Sequence, residues 1–133
     1  MDILNSQQIL AMYDQLGLSV AVMDRDLKLI YVNQAAQKTY SKLFGERDYL
    51  GYSTKNCHSA INQKNIDALF LMFAMGKPMN FYHDKSPKAE GGEFTAIQLP
   101  YYVEGKIEGM IEVLIESSLA ERGRGAQHRV FEE

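Results

Sequence analysis

The spacing of hydrophobic positions switches repeatedly between a helical and an extended period. In ILNSQQILAMYDQL (3–16), Ile9, Met12, Tyr13 and Leu16 recur at helical spacing opposite Ser6, Gln7, Asp14 and Gln15, and Gly17 follows as a stop. That spacing predicts a short amphipathic helix. LSVAVMD (18–24) and KLIYV (28–32) are rich in β-formers and joined by Asp24-Arg25-Asp26, which predicts a hairpin. Asn33 then stands where a helix cap belongs, ahead of QAAQKTYSKLF. In that segment Ala35 or Ala36, Tyr40, Leu43 and Phe44 can face inward before Gly45 ends the helix. Residues 46–60 keep no clear period and read as turns and irregular helix. From Asn62 to Met75 a longer helix is predicted, with Ile66, Leu69, Phe70 and Phe73 on one stripe. Leu71, Met72 and Met75 add apolar surface on its other sides, so this helix is expected to be covered nearly all round until Gly76 and Pro78 end it.

The last third alternates. MNFYHDK (79–85), EFTAIQLPYYV (93–103) and KIEGMIEVLIESS (106–118) are predicted strands, separated by the polar SPKAEGG and by Glu104-Gly105. Pro100 lacks a backbone N–H and so implies an edge position or a bulge. Ile111, Val113 and Ile115 alternate with Glu112 and Glu116, the pattern of a half-buried antiparallel strand. The tail LAERGRGAQHRVFEE sustains no pattern and is expected to be a linker or a disordered end. Three units result: an amphipathic helix over 1–16, a domain over 17–118 and the tail over 119–133. Strands split by helices point to an α+β class, one antiparallel sheet with helices packed across one face.

Composition narrows the function classes. At 133 residues, 46% hydrophobic and 23% charged, the chain is an ordinary globular domain with enough length for a core. Its single cysteine excludes an internal disulfide. The start lacks a basic segment followed by an apolar run, and the longest apolar run, ALFLMFAM (68–75), is too short to cross a bilayer. A soluble, cytoplasmic protein with no membrane partner is therefore expected. A formal charge of −3 without a basic tract offers nothing to hold a phosphate backbone, so no nucleic-acid partner is expected.

GLSVAVMDRDLKLIYVNQAAQKTYS (17–41) and GGEFTAIQLPYYVEGKIEGMIEVLIES (91–117) together resemble a PAS sensory domain. The matching features are a strand, an Asp-centred turn, a second strand, Asn-x-Ala-Ala opening a helix, and a closing run of strands. The resemblance covers about residues 17–118 and rests on the order of elements, not on one motif. It implies a PAS-like five-stranded antiparallel sheet with helices across one face, often enclosing a small ligand. It also implies a homodimer and a signal passed through flanking helices to a kinase, cyclase or DNA-binding output domain. No output domain is present, so the chain reads as part of a larger regulator or as a stand-alone module.

Two groups of residues are candidates for function. The first is Asn56-Cys57-His58, where the lone cysteine adjoins one of three histidines. In one reading it is only a helix start, with Asn56 or Ser59 as cap, Cys57 as a small buried hydrophobe and His58 bonded locally. Resemblance to the light-sensing PAS branch, with its Asn-Cys-Arg-Phe-Leu-Gln motif, stops at Asn56 and Cys57; the missing arginine, leucine and glutamine disfavour a flavin. Resemblance to haem-binding PAS regulators implies haem, with His58 as proximal ligand, Met79 opposite, and Cys57 and His83 as further candidates. Ser59 replaces the proline that usually follows that histidine. Zinc or an iron–sulfur cluster is set aside, because the ligand spacing is unpaired. Neighbouring residues at a helix start point in different directions, so Cys57 and His58 make a poor catalytic pair and no enzyme is expected.

The second group is a pocket for a small apolar ligand. Leu69, Phe70, Met72, Phe73 and Met75 of the long helix would face Phe81, Phe94, Ile97 and Leu99 of the strands, the methionines forming an adaptable wall. In the rival reading the same residues form a filled core, and the chain is a ligand-free dimerisation or interaction module. The leading helix is too short to be stable alone, so it either folds back on the sheet or pairs with a second copy.

Overall fold

Local chemistry starts and stops most of the elements seen in the computed structural model, which describes residues 3–55, 60–84 and 94–116. Helix α1 (Ser6–Asp14) begins at a capping box: the Asn5 side chain accepts from the Gln8 N–H, and the Gln8 side chain accepts from the Asn5 N–H. Strands β1 (Ser19–Asp24) and β2 (Leu29–Val32) pair as the expected hairpin. In its turn Asp24 Oδ1 accepts from the N–H of Asp26 at 2.9 Å and of Lys28 at 3.0 Å. Asn33 caps α2 (Gln34–Phe44), whose end is the positive-φ Gly45. Helix α3 (Ala60–Ala74) follows, then β3 (Asn80–Asp84), β4 (Phe94–Val103) and β5 (Lys106–Glu116). Glu104 and Gly105 both take positive φ, as the two-residue turn between β4 and β5 requires.

The strands form one antiparallel sheet in the order β2-β1-β5-β4-β3, so the last strand lies beside the first. This is the five-stranded α+β arrangement expected from the sequence. Pairing of β3 with β4 stops at Gln98, which leaves Pro100 on a stretch of β4 unpaired on that side, and the bulge lies just beyond, between Tyr101 and Tyr102. Gly109 sits opposite Asp24 where β1 and β5 approach closely; a Cβ there would meet the Met23 carbonyl oxygen at 2.0 Å. Tyr102 ties the last turn of α3 to β4 by donating its hydroxyl to the Phe73 carbonyl at 2.6 Å.

The core lies between the inner face of the sheet and the helices, with Met23, Leu29, Tyr40, Phe70, Phe73 and Met110 all buried. Two expectations need correction. Helix α3 is not covered all round: Leu69, Phe70 and Phe73 are buried, but Leu71, Met72 and Met75 are exposed. In β5 the alternation is real but its inward face is the other one. Met110 and Leu114 are the buried residues, and Glu112 shares their side of the strand, whereas Ile111, Val113 and Ile115 share the opposite side. Among the described residues no helix is long and apolar enough to cross a membrane. Asn56, Cys57, His58, Ser59 and the 119–133 tail lie outside the described residues.

Candidate functional site

Register explains how a carboxylate comes to lie inside. Asn80 pairs with Gln98, Gln98 with Glu112 and Glu112 with Ala21, so these residues form one row across β3, β4, β5 and β1. Side chains in such a row share a face of the sheet. This row faces the helices, and its first three members are polar. They are also hydrogen-bonded in sequence. Asn80 Nδ2 donates to Gln98 Oε1 at 2.8 Å, and the Gln98 side chain bonds in turn to Glu112. At one end Lys77 Nζ donates to Asn80 Oδ1 at 3.2 Å. At the other the Tyr40 hydroxyl, from α2, donates to Glu112 Oε1 at 2.7 Å.

Above this polar floor the described residues line a partly open cavity of about 450 Å³. Its wall includes Tyr40 and Phe44 of α2, Tyr49 and Tyr52 of the following loop, and Ile66, Leu69 and Met72 of α3. Phe94, Ala96, Met110 and Leu114 surround the polar row on the sheet side. The volume falls within the range of about 300–1,000 Å³ common for small-molecule sites. An apolar wall with a few convergent polar groups is also the usual composition of such a site.

Electrostatics single out Glu112. It is only half-buried by surface area because it borders the cavity, yet the protein around it displaces bulk water. Burial pushes its carboxyl above the ordinary value of 4.5, while hydrogen bonds from Tyr40 and Gln98 pull the other way. Tyr40 is held well above its ordinary value, first by burial and then by the adjacent carboxylate, so it stays a neutral donor. The bonds stabilise the ionised carboxylate, but they do not supply a countercharge.

The residues singled out from sequence divide into several places. Leu69 and Met72 line the cavity. Phe70 and Phe73 are buried in the core, and the Arg25 guanidinium lies 5.2 Å from the Phe70 ring centroid. Met75 is 81% exposed at the end of α3 and does not belong to the pocket. Phe81 and Ile97 pair with each other in a row that continues to Val113 and Val20, on the sheet face opposite the cavity. Their apolar character predicts an inward side, but strand parity puts Asn80, Tyr82, Ala96 and Gln98 inward instead. Leu99 moves outward with Ile97. His83 bonds Thr95 at 2.9 Å on that same outer face. Met79 precedes β3, is 39% exposed and is not on the described cavity wall. Among the described residues that wall presents no imidazole or thiol to an iron, so haem ligation through His58 or Cys57 rests on residues outside the description.

Sequence reasoning missed Glu112, Gln98 and Tyr40 as a set. One signal was present: Met110, Glu112 and Leu114 share one parity in β5, so an acid sits between two strongly apolar residues.

Comparison with solved structures finds this architecture in PAS domains. The PAS domain of a Colwellia psychrerythraea protein superposes with a TM-score of 0.60 at 13% identity, covering 83% of this chain and 94% of that one. The PAS domain of Bordetella pertussis BvgS gives 0.58 at 15% identity, covering 92% and 95%. The phage VqmA–DPO complex gives 0.65 at 18% identity, covering 93% of this chain and 57% of the phage protein. No family model and no curated protein matches the sequence. The fold is therefore that of PAS domains, at identities that speak to fold alone.

Proposed function

From a PAS fold whose sheet and helices line a cavity with a hydrogen-bonded polar floor, we propose that this chain is a sensor module. It binds a small molecule in the cavity and relays occupancy through α2 and β5 to α1 and a homodimeric partner. The observation that carries this reading is the Tyr40–Glu112 contact at 2.7 Å, because it places a bond between a helix and the central strand directly on the cavity wall. A ligand that engages Glu112 competes for that bond and shifts α2. The same helix is capped by Asn33, whose Nδ2 donates to the Tyr13 carbonyl of α1 at 3.0 Å, so movement of α2 reaches the leading helix. The phage VqmA protein, part of which superposes on this chain, was solved in complex with DPO, which supports a ligand-binding reading. The surface pair Lys42–Glu116, at 3.4 Å, adds a second but weak link between α2 and β5.

The output domain, cytoplasmic setting and absence of catalysis belong to this proposal and follow the sensing role. A ligand-free interaction module is the second reading, supported by the apolar outer face of the sheet and by α1, which buries none of its residues. Haem sensing through His58 is a third version.

One experiment separates the three. Native mass spectrometry of the purified protein, an absorption spectrum with and without added haem, and a thermal-shift screen of small molecules are run on the wild type and on Met72→Trp, which fills the cavity at an exposed wall position. A carried or stabilising compound lost in Met72→Trp is the expected result. A Soret band that vanishes in His58→Ala selects haem. No carried compound and no variant-sensitive stabilisation leaves the interaction module.

A further inference from the structure

Four of the aromatic rings on the cavity that Glu112 borders form one chain of ring contacts. They belong to Tyr40, Phe44, Tyr49 and Tyr52. Ring centroids are 6.0 Å apart for Tyr40 and Phe44, 5.5 Å for Tyr40 and Tyr49, and 5.5 Å for Tyr49 and Tyr52. Tyr40 and Phe44 meet because they are one helical turn apart. Tyr49 is fixed by donating its hydroxyl to the Gly45 carbonyl at 2.6 Å. Aromatic faces attract cations through their quadrupole, and a carboxylate among them adds a full opposite charge. Two of these rings already hold a cation: the Arg47 guanidinium lies 4.7 Å from the Tyr52 centroid and 5.8 Å from that of Tyr49. Arg47 is not on the cavity wall, whereas all four rings and Glu112 are.

We propose that the cavity takes a small organic cation with an N–H donor, such as an alkylamine or a protonated nitrogen heterocycle, its nitrogen on Glu112 and its body among Tyr40, Phe44, Tyr49 and Tyr52. This rests on the small-molecule reading above and names the class of ligand.

The charges around Glu112 favour such a guest. From α2 it meets Tyr40 and from β4 Gln98, both neutral donors; its register partner on β1 is Ala21, and the wall residues of α3 are Asn65, Ile66, Leu69 and Met72. Lys77 is the one cationic side chain on the described wall. It sits beyond Asn80 and Gln98, two strand spacings of about 5 Å from β5, and so does not neutralise the carboxylate. A cation bound at Glu112 supplies the missing countercharge. It also holds the carboxyl ionised against the effect of burial, so affinity rises as pH rises through the Glu112 titration and falls again where the amine loses its proton.

Tryptamine, indole-3-ethanol and indole-3-propionate share a ring and differ in the charge of the end group; phenethylamine, 2-phenylethanol and 3-phenylpropionate repeat the series with a smaller ring. Isothermal titration calorimetry of the full chain with these six compounds reads the preference. The expected result is an amine bound at least tenfold tighter than its alcohol, with no binding of the acid. Glu112→Gln, isosteric and neutral, removes the amine preference and leaves the alcohol affinity; Phe44→Leu weakens the amine severalfold at a partly exposed position. An alcohol or acid that binds as tightly as the amine, or a preference that survives Glu112→Gln, overturns the inference and leaves the pocket reading standing. Silence from all six compounds also overturns it, and the small-molecule reading falls with it only when the Met72→Trp comparison is silent too.

Discussion

An acid between Met110 and Leu114 on the inner face of β5 runs against the hydropathy of its neighbours, and it leaves a thermodynamic trace. The folded-state pKa of Glu112 lies above its ordinary value of 4.5. A raised carboxyl means that the folded chain holds the proton more tightly than the unfolded chain. The stabilising contribution is complete below the unfolded value and disappears as pH rises through the folded one. Urea unfolding of ligand-free protein is therefore expected to show wild type gaining stability relative to Glu112→Gln as pH falls from neutral toward the ordinary carboxyl value of 4.5. An unchanged difference across that range would contradict the assigned environment of Glu112. A strand period was legible around this residue. The charge itself misled, because a glutamate in an alternating strand is ordinarily the solvent-facing member.

At the scale of elements, the α2 cap joins parts of the chain that have no local reason to meet. Asn33 is fully buried. Its Oδ1 accepts from the N–H of Ala36 at 2.8 Å, as a cap does, and also from that of Val20 at 3.0 Å. Its Nδ2 donates to the carbonyls of Leu18 at 2.8 Å and Tyr13 at 3.0 Å. One side chain thus holds the start of α2, the start of β1 and the end of α1. Asn33→Ala loses the cap and strands several buried backbone groups, so it is expected to cost about 3 kcal/mol in urea denaturation, given about 1–3 kcal/mol for each unsatisfied group. Hydrogen exchange should show α1 loosening more than β5. The capping role was readable because a cap acts within three residues. The bonds to Leu18 and Tyr13 were not, since they depend on how α1 and β1 pack.

Across the whole molecule the sheet presents two faces, the inner one bounding the core and the cavity. The outer one carries the rows Phe81–Ile97–Val113–Val20 and Leu99–Ile111–Val22–Tyr31. Helix α1 leaves Leu10, Met12 and Tyr13 substantially exposed. A second copy laid against this surface is the proposed homodimer. Val113→Lys places a charge at its centre and is expected to weaken dimerisation at least tenfold in light scattering. The cavity should keep its ligand, because Val113 lies on the other side of the sheet. A variant that remains fully dimeric would move the interface elsewhere.

What the sequence determined by itself was local. Caps, turn residues and hydrophobic period act over a few neighbours, and they specified α1, the β1–β2 hairpin, α2, α3 and the closing strands in the right order. That order was enough for the α+β class and the PAS resemblance. The tertiary structure alone decided which face of each strand points inward. Both faces of β4 and β5 are apolar enough to be buried, so their alternation is ambiguous until neighbouring strands and α2 take their places. Placing β5 beside β1 brought Glu112 to Tyr40, 72 residues away in sequence, and aligned Asn80, Gln98 and Glu112 in a row. The cavity and its charge are products of that pairing, because side chains distant in sequence acquire a shared environment only when the backbone between them is packed.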